Sequence, residues 1–271
     1  MAAFRPVLAA VACAGALLAA APPARAQTAA NDERWDTLRP AIFPGKTIGD
    51  GSAVLAIDAP ERAQDAALVP ISIHILPGAE AAHVRRITVV VDANPSPLAA
   101  AFTLGRDAGI TDIATRIRVD DYTYVHAVAE MDDGTLLAAR RFVKAAGGCS
   151  APATSEVSDG RMIGQIRVRP MPAQSEDAPG LREVKVLVNH PNYSGMQMNQ
   201  VTRLYTPAYF INQVTVSQGG RELIGVESGI SIAENPEYRF DFRDDGAPLH
   251  VLVHDSENKT YFKDYTLPPP A

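Results

Sequence analysis

The chain has 271 residues, with 25 basic and 31 acidic side chains, a formal charge of −6, six His, two Cys and one Trp. A hydrophobic fraction of 46% with 21% charged residues is globular and excludes wholesale disorder, and the length points to two domains. The acidic balance argues against nucleic acid or an anionic membrane surface as partner, and two cysteines are too few for a disulfide scaffold or a four-cysteine zinc module.

Residues 1–26 read as a secretory signal peptide. Arg5 gives the positive n-region, residues 7–21 an apolar run, and Ala24-Arg25-Ala26 an A-x-A cleavage site. The run is shorter than the about 20 residues that span a bilayer. Charges interrupt every later apolar run, so no membrane insertion is expected. Without a twin-arginine pair, the expectation is Sec-type export to the periplasm with cleavage near Ala26. Cys13 then leaves with the leader, and Cys149 becomes the only thiol of the mature chain. Oxidising compartments pair or consume thiols, so a lone one calls for an explanation.

After the leader, a short helix is predicted over 35–42, ending before Pro44-Gly45. Alternating runs follow. Ile71, Ile73 and Ile75 face away from Ser72 and His74; Thr115, Ile117 and Val119 face away from Arg116 and Arg118. Val125, Ala127, Ala129 and Met131 oppose His126, Val128 and Glu130, and Asp132-Asp133-Gly134 turns this run into a hairpin with 136–143. The second half repeats the grammar in Ile166/Val168, Val184/Val186/Val188, Tyr238/Phe240/Phe242 and Leu249/Val251/Val253. The expected fold is all-β, with two immunoglobulin-like β-sandwich domains over 27–146 and 164–271. Between them, 147–163 is small, polar and rich in Gly and Pro, and reads as a flexible linker with nothing to anchor it in a core.

The one mature thiol therefore lies on a predicted arm, Gly147-Gly148-Cys149. A buried inert cysteine fits poorly there, because the glycines offer no side chains for a pocket, while an incidental linker cysteine and an intermolecular disulfide stay open on composition alone. The nearest cation in sequence is Lys144, no histidine adjoins the sulfur, and there is no resolving cysteine, so a nucleophile of the chain's own enzyme is not expected. Glycines let a backbone enter a narrow opening, and a covalent carrier fits this pattern better than an enzyme.

At these residues the chain resembles the SoxY and SoxZ sulfur carriers of bacterial thiosulfate oxidation. The SoxY-like features are Trp35, Ile42-Phe43-Pro44-Gly45, Asp58-Ala59-Pro60-Glu61-Arg62-Ala63, and Asn94-Pro95-Ser96-Pro97-Leu98-Ala99 followed by Phe102, ending in Gly147-Gly148-Cys149. The SoxZ-like ones are His190-Pro191, Thr206-Pro207-Ala208-Tyr209-Phe210-Ile211 and Asn235-Pro236. The resemblance implies paired immunoglobulin-like domains, with Cys149 as covalent sulfur attachment point and Gly147 and Gly148 as its flexible arm. It also implies partners among periplasmic sulfur-oxidation (Sox-type) enzymes. Two features depart from it: Ser150-Ala151-Pro152 continue the chain beyond the cysteine, and the two domains are fused. Such fusions resemble SoxYZ-like carriers associated with quinoprotein alcohol dehydrogenases, so a quinoprotein dehydrogenase is an alternative partner. A non-covalent docking role for it is the alternative function.

The remaining features are read as structural. His250 and His254 share a strand face about 13 Å apart, too far to bind one metal. Met162, Met171, Met196 and Met198 are irregularly spaced, as core filler or loop residues are. No catalytic constellation, metal site or cofactor is expected.

Overall fold

The computed structural model describes residues 24–78, 84–152, 162–171, 181–199 and 201–269, with side chains from Asp32 onward. The apolar run of the leader and Cys13 lie outside the described residues, as do 153–161 of the expected linker. The described residues are all-β apart from one helix, α1 (Ala24–Ile42). The helix ends before Pro44-Gly45, as predicted, but begins well before Trp35. No described helix is long and apolar enough to cross a membrane.

Eight strands come from the first half: β1 (Ile48–Asp50), β2 (Leu55–Asp58), β3 (Val69–Ile75), β4 (Val84–Val91), β5 (Leu98–Leu104), β6 (Asp112–Ile117), β7 (Thr123–Met131) and β8 (Leu136–Val143). Seven come from the second: β9 (Ile166–Met171), β10 (Leu181–Val188), β11 (Ile211–Gln218), β12 (Arg221–Ser228), β13 (Glu237–Arg243), β14 (Leu249–Asp255) and β15 (Thr260–Tyr265). The alternation read from sequence sets the layers. In β3 and β14, every second residue is buried, and these rows meet in a shared apolar core.

The halves join through both sheets. One sheet runs β1-β8-β7-β4-β5-β12-β11-β14-β15, the other β2-β3-β6-β13-β10-β9. The seam is thus two antiparallel pairs, β5 with β12 and β6 with β13, including Phe102 opposite Val226 and Ile113 opposite Phe240. Asp241 on β13 clasps the start of β6: its carboxylate accepts from the amides of Thr111 and Asp112 at 2.8 and 2.7 Å, and from the Thr111 hydroxyl. Each sandwich therefore covers an edge of the other that would otherwise expose unpaired backbone groups.

Among the side chains that depart from the alternation, two bear on the site. His126, expected on an open face, is buried because α1 lies over it, with Trp35 stacked on the imidazole at 3.8 Å between ring centroids. Asp92 accepts a hydrogen bond from His126 Nδ1 at 3.0 Å and anchors the pair. Arg118, expected to face outward beside Arg116, is 1% exposed. Just past β6 the chain bridges to the second half, with Ile117 opposite Ile232 and the Arg118 amide donating to Ser231 O at 2.7 Å. The face that would meet solvent in an isolated sandwich is therefore inside the fused one.

Candidate functional site

The site is assembled where β8 runs out beside the end of β6. Beyond Val143, Lys144 exchanges backbone hydrogen bonds with Glu61 and Ala63. Gly147 N then donates to Asp120 O at 2.9 Å and Gly148 N to Val119 O at 3.0 Å. The Cys149 amide donates to the Asp120 carboxylate at 3.3 Å.

The two glycines are needed for different reasons. Gly147 has φ +79°, in the left-handed region, with open space where a Cβ would be. Gly148 is wedged against backbone: a Cβ there would sit 2.0 Å from Ala66 O and 2.6 Å from Val119 O.

The second half closes over this segment. Ser194 Oγ donates to Cys149 O at 2.5 Å, and Gln197 Oε1 accepts from the Ser194 amide at 2.9 Å. Arg118 ties the halves together, donating to Gly148 O at 3.3 Å and Asn192 O at 3.1 Å. Asn192 is itself fixed by Ile211 N, by Ile232 O and by His190 Nδ1, which accepts from its amide at 3.1 Å. Behind it, the buried His190 ring packs edge-on against Tyr209. Asn94 donates to Arg118 O and Ser231 Oγ, and Asn235 O accepts from Arg116. His190, Tyr209, Asn94 and Asn235, scattered among the sequence features of both halves, thus meet around one seam.

Cys149 is unpaired among the described residues and 1% exposed. The expectation that nothing anchors the Gly-Gly-Cys segment is corrected: its pocket comes from Arg118, Asn192 and Ser194, distant in sequence, rather than from its neighbours. Burial pushes the thiol up to about 12, with the Asp120 carboxylate adding to the shift and Arg118 opposing it. A thiol in that state is protonated at neutral pH and is not a nucleophile. The docked arm is therefore chemically silent.

Arg118, Asp120, Asn192 and Ser194 were not identified from sequence. Asn192 follows the His190-Pro191 pair, the only signal among them; the other three look like surface residues. Ser194→Ala removes one bond to the arm, a net loss of about 0.5–1.5 kcal/mol. The expected result is a roughly 2- to 10-fold faster alkylation of Cys149 by iodoacetamide. An unchanged rate would show that Ser194 does not hold the arm.

The family model described as Sulfur oxidation protein SoxY matches residues 39–149, and the one described as Sulphur oxidation protein SoxZ matches residues 168–266. The chain is a fused SoxYZ-like protein. No curated protein matches it. The SoxY match ends on Cys149, and the SoxZ match contains Asn192 and Ser194, which close over it. Both are carrier and accessory families rather than catalytic ones. Membership places the chain among the Sox-type sulfur carriers.

Proposed function

We propose that this SoxYZ-like chain is a periplasmic carrier that binds a sulfur-containing intermediate covalently on Cys149 and presents it to Sox-type partner enzymes. The observation that carries this reading is the position of Cys149: the last residue of the SoxY match, held at the seam with the SoxZ half by a few hydrogen bonds. Contacts that few can be released and remade without disturbing either sheet. The leader supports the periplasm, and cleavage after Ala26 would remove the first three residues of α1.

Chemistry at Cys149 requires the open arm, where the thiol leaves the burial and the Asp120 field that keep it protonated. Attachment of a sulfur-terminated cargo forms one S–S bond. It releases the thiol proton and two electrons, which the loading enzyme must pass to its own oxidant. Delivery breaks that bond by nucleophilic attack and returns the thiol. A fused arm, with Ser150-Ala151-Pro152 continuing the chain, reaches less far than a free terminus, so the partner must present its site close to the seam.

The test is intact mass of the mature protein from native periplasm, before and after a thiol reductant, with Cys149→Ser alongside. The expected result is a reductant-labile adduct mapped to Cys149 and absent from Cys149→Ser. A bare thiol under inducing growth would overturn the carrier reading. The sandwich faces would then be the functional part, as a non-covalent docking module for a quinoprotein dehydrogenase requires.

A further inference from the structure

Charge and packing at the closed arm say what the dock can hold. The Cys149 residue is 1% exposed, its carbonyl is bound by Ser194, and Gly148 leaves no slack against Ala66 and Val119. Two charged groups bear on the sulfur. Asp120, whose carboxylate accepts from the Cys149 amide, disfavours negative charge there. Arg118 favours it, but its guanidinium is already bonded to Gly148 O and Asn192 O, and the acid has the larger effect. The same desolvation that keeps the thiol protonated acts on any anion attached to the sulfur. Oxidised and sulfane-type sulfur groups that could be carried as thiosulfonates or persulfides are anionic near neutral pH.

We propose that the dock senses the load on the arm. It closes over Cys149 while the sulfur carries a neutral group and releases the arm when an anionic sulfur group is attached, with Asp120 as the positioning residue that decides between the two states. This rests on the reading of Cys149 as the point of attachment and adds a direction to it. The empty carrier hides its thiol from stray oxidants, whereas the loaded carrier shows its cargo to the next enzyme. Arg118 and Ser194 hold the closed state, and the negative field of Asp120 makes it selective.

The experiment uses the purified full mature chain with adducts installed chemically, so it does not depend on the native cargo. Methyl methanethiosulfonate gives a neutral adduct: the thiolate attacks the sulfenyl sulfur, an S–S bond forms, methanesulfinate leaves with the electron pair of the broken S–S bond, and the thiol proton goes to buffer. Tetrathionate gives the anionic counterpart in the same way. The thiolate attacks an inner sulfur, thiosulfate leaves, and Cys149 carries a terminal thiosulfonate. Amide hydrogen exchange is then followed in a peptide covering 145–151, whose Gly147 and Gly148 amides are hydrogen-bonded only when the arm is docked.

The expected result is slow exchange for the bare thiol and the S-methyl adduct, and at least tenfold faster exchange for the thiosulfonate. In Asp120→Asn, where the side-chain oxygen can still accept from the Cys149 amide, the thiosulfonate form is expected to return towards slow exchange, which a merely structural role for Asp120 would not produce. A thiosulfonate that stays as protected as the bare thiol would overturn the proposal. It would make Arg118 an anion receptor, through the Nε that has no hydrogen-bond partner among the described residues. Equal opening by both adducts, or opening untouched by Asp120→Asn, would assign release to bulk and overturn the part given to charge. If native protein carries no adduct while this charge dependence is found, the carrier reading fails and the dock's selectivity stands.

Discussion

Gly148→Ala is expected to hold the arm open and expose Cys149 while leaving both sheets folded. The added Cβ would meet Ala66 O and Val119 O at 2.0 and 2.6 Å. Both are backbone atoms that no rotamer change can move aside. Overpacking of this kind costs about 1–3 kcal/mol, and undocking the segment relieves it. The open population, and with it the iodoacetamide rate at Cys149, should rise roughly 5- to 150-fold. Gly147→Ala is the comparison: it meets no atom within 4 Å but must hold φ +79°, which costs about 1–2 kcal/mol. Its effect should be smaller. An alkylation rate in Gly148→Ala equal to that of the parent would mean that the thiol is already open in solution, and the dock would have to be abandoned.

The second large effect is a loss of stability on acidification that traces to His190. Burial holds this imidazole down to about 4, with Asp255 opposing the shift and Lys259 adding to it. Its Nδ1 accepts from the Asn192 amide, and its Nε2 lies 3.9 Å from Asp255 Oδ2. The folded-state value is depressed below the unfolded one of about 6.5, so between those values the unfolded chain binds more protons. Stability therefore falls as pH drops through that window, by about 3 kcal/mol for this group alone. Buried Asp92, Glu183 and Asp241, whose carboxyls are raised by desolvation, act in the opposite direction. The informative quantity is therefore the difference between two proteins. Urea unfolding of the parent and His190→Phe at pH 7.5, 6, 5 and 4 should show the variant less stable at pH 7.5, because the Asn192 amide loses its acceptor. Its pH profile should also be flatter by about one proton. Parallel profiles would remove His190 from the account.

Both effects concern one seam, and they explain why a chain with two sandwich patterns is a single working unit. Cys149 lies on the first half, yet Ser194, which bonds its carbonyl, and Asn192, tied to the arm through Arg118, belong to the second. Both halves contribute bonds that hold the segment carrying the thiol. Fusion keeps the closing half always within reach of the arm.

Much of this was legible in the residues. The period-two rows in β3, β13 and β14, the turn at Asp132-Asp133-Gly134 and the glycine-flanked cysteine followed from local chemistry. An alternating strand declares its buried face wherever it is covered on one side only. That condition fails at β7, where α1 brings Trp35 onto His126, and just after β6, where the second half covers Arg118. A covering element from elsewhere in the chain leaves no mark in the strand's own period. The Gly-Gly pair likewise looks the same whether it bends freely or fits a gap without room for a Cβ.

The residues alone pointed to an all-β chain, two sandwich-sized halves, and a glycine-flanked cysteine at the end of the first. The tertiary structure alone decided that both sheets run across the halves and that the cysteine is shut inside their seam. Those outcomes depend on backbone pairing of β5 with β12 and β6 with β13, and on Arg118, Asn192 and Ser194 meeting over Cys149. Backbone hydrogen bonds are common to every residue and carry no pattern that names their distant partner.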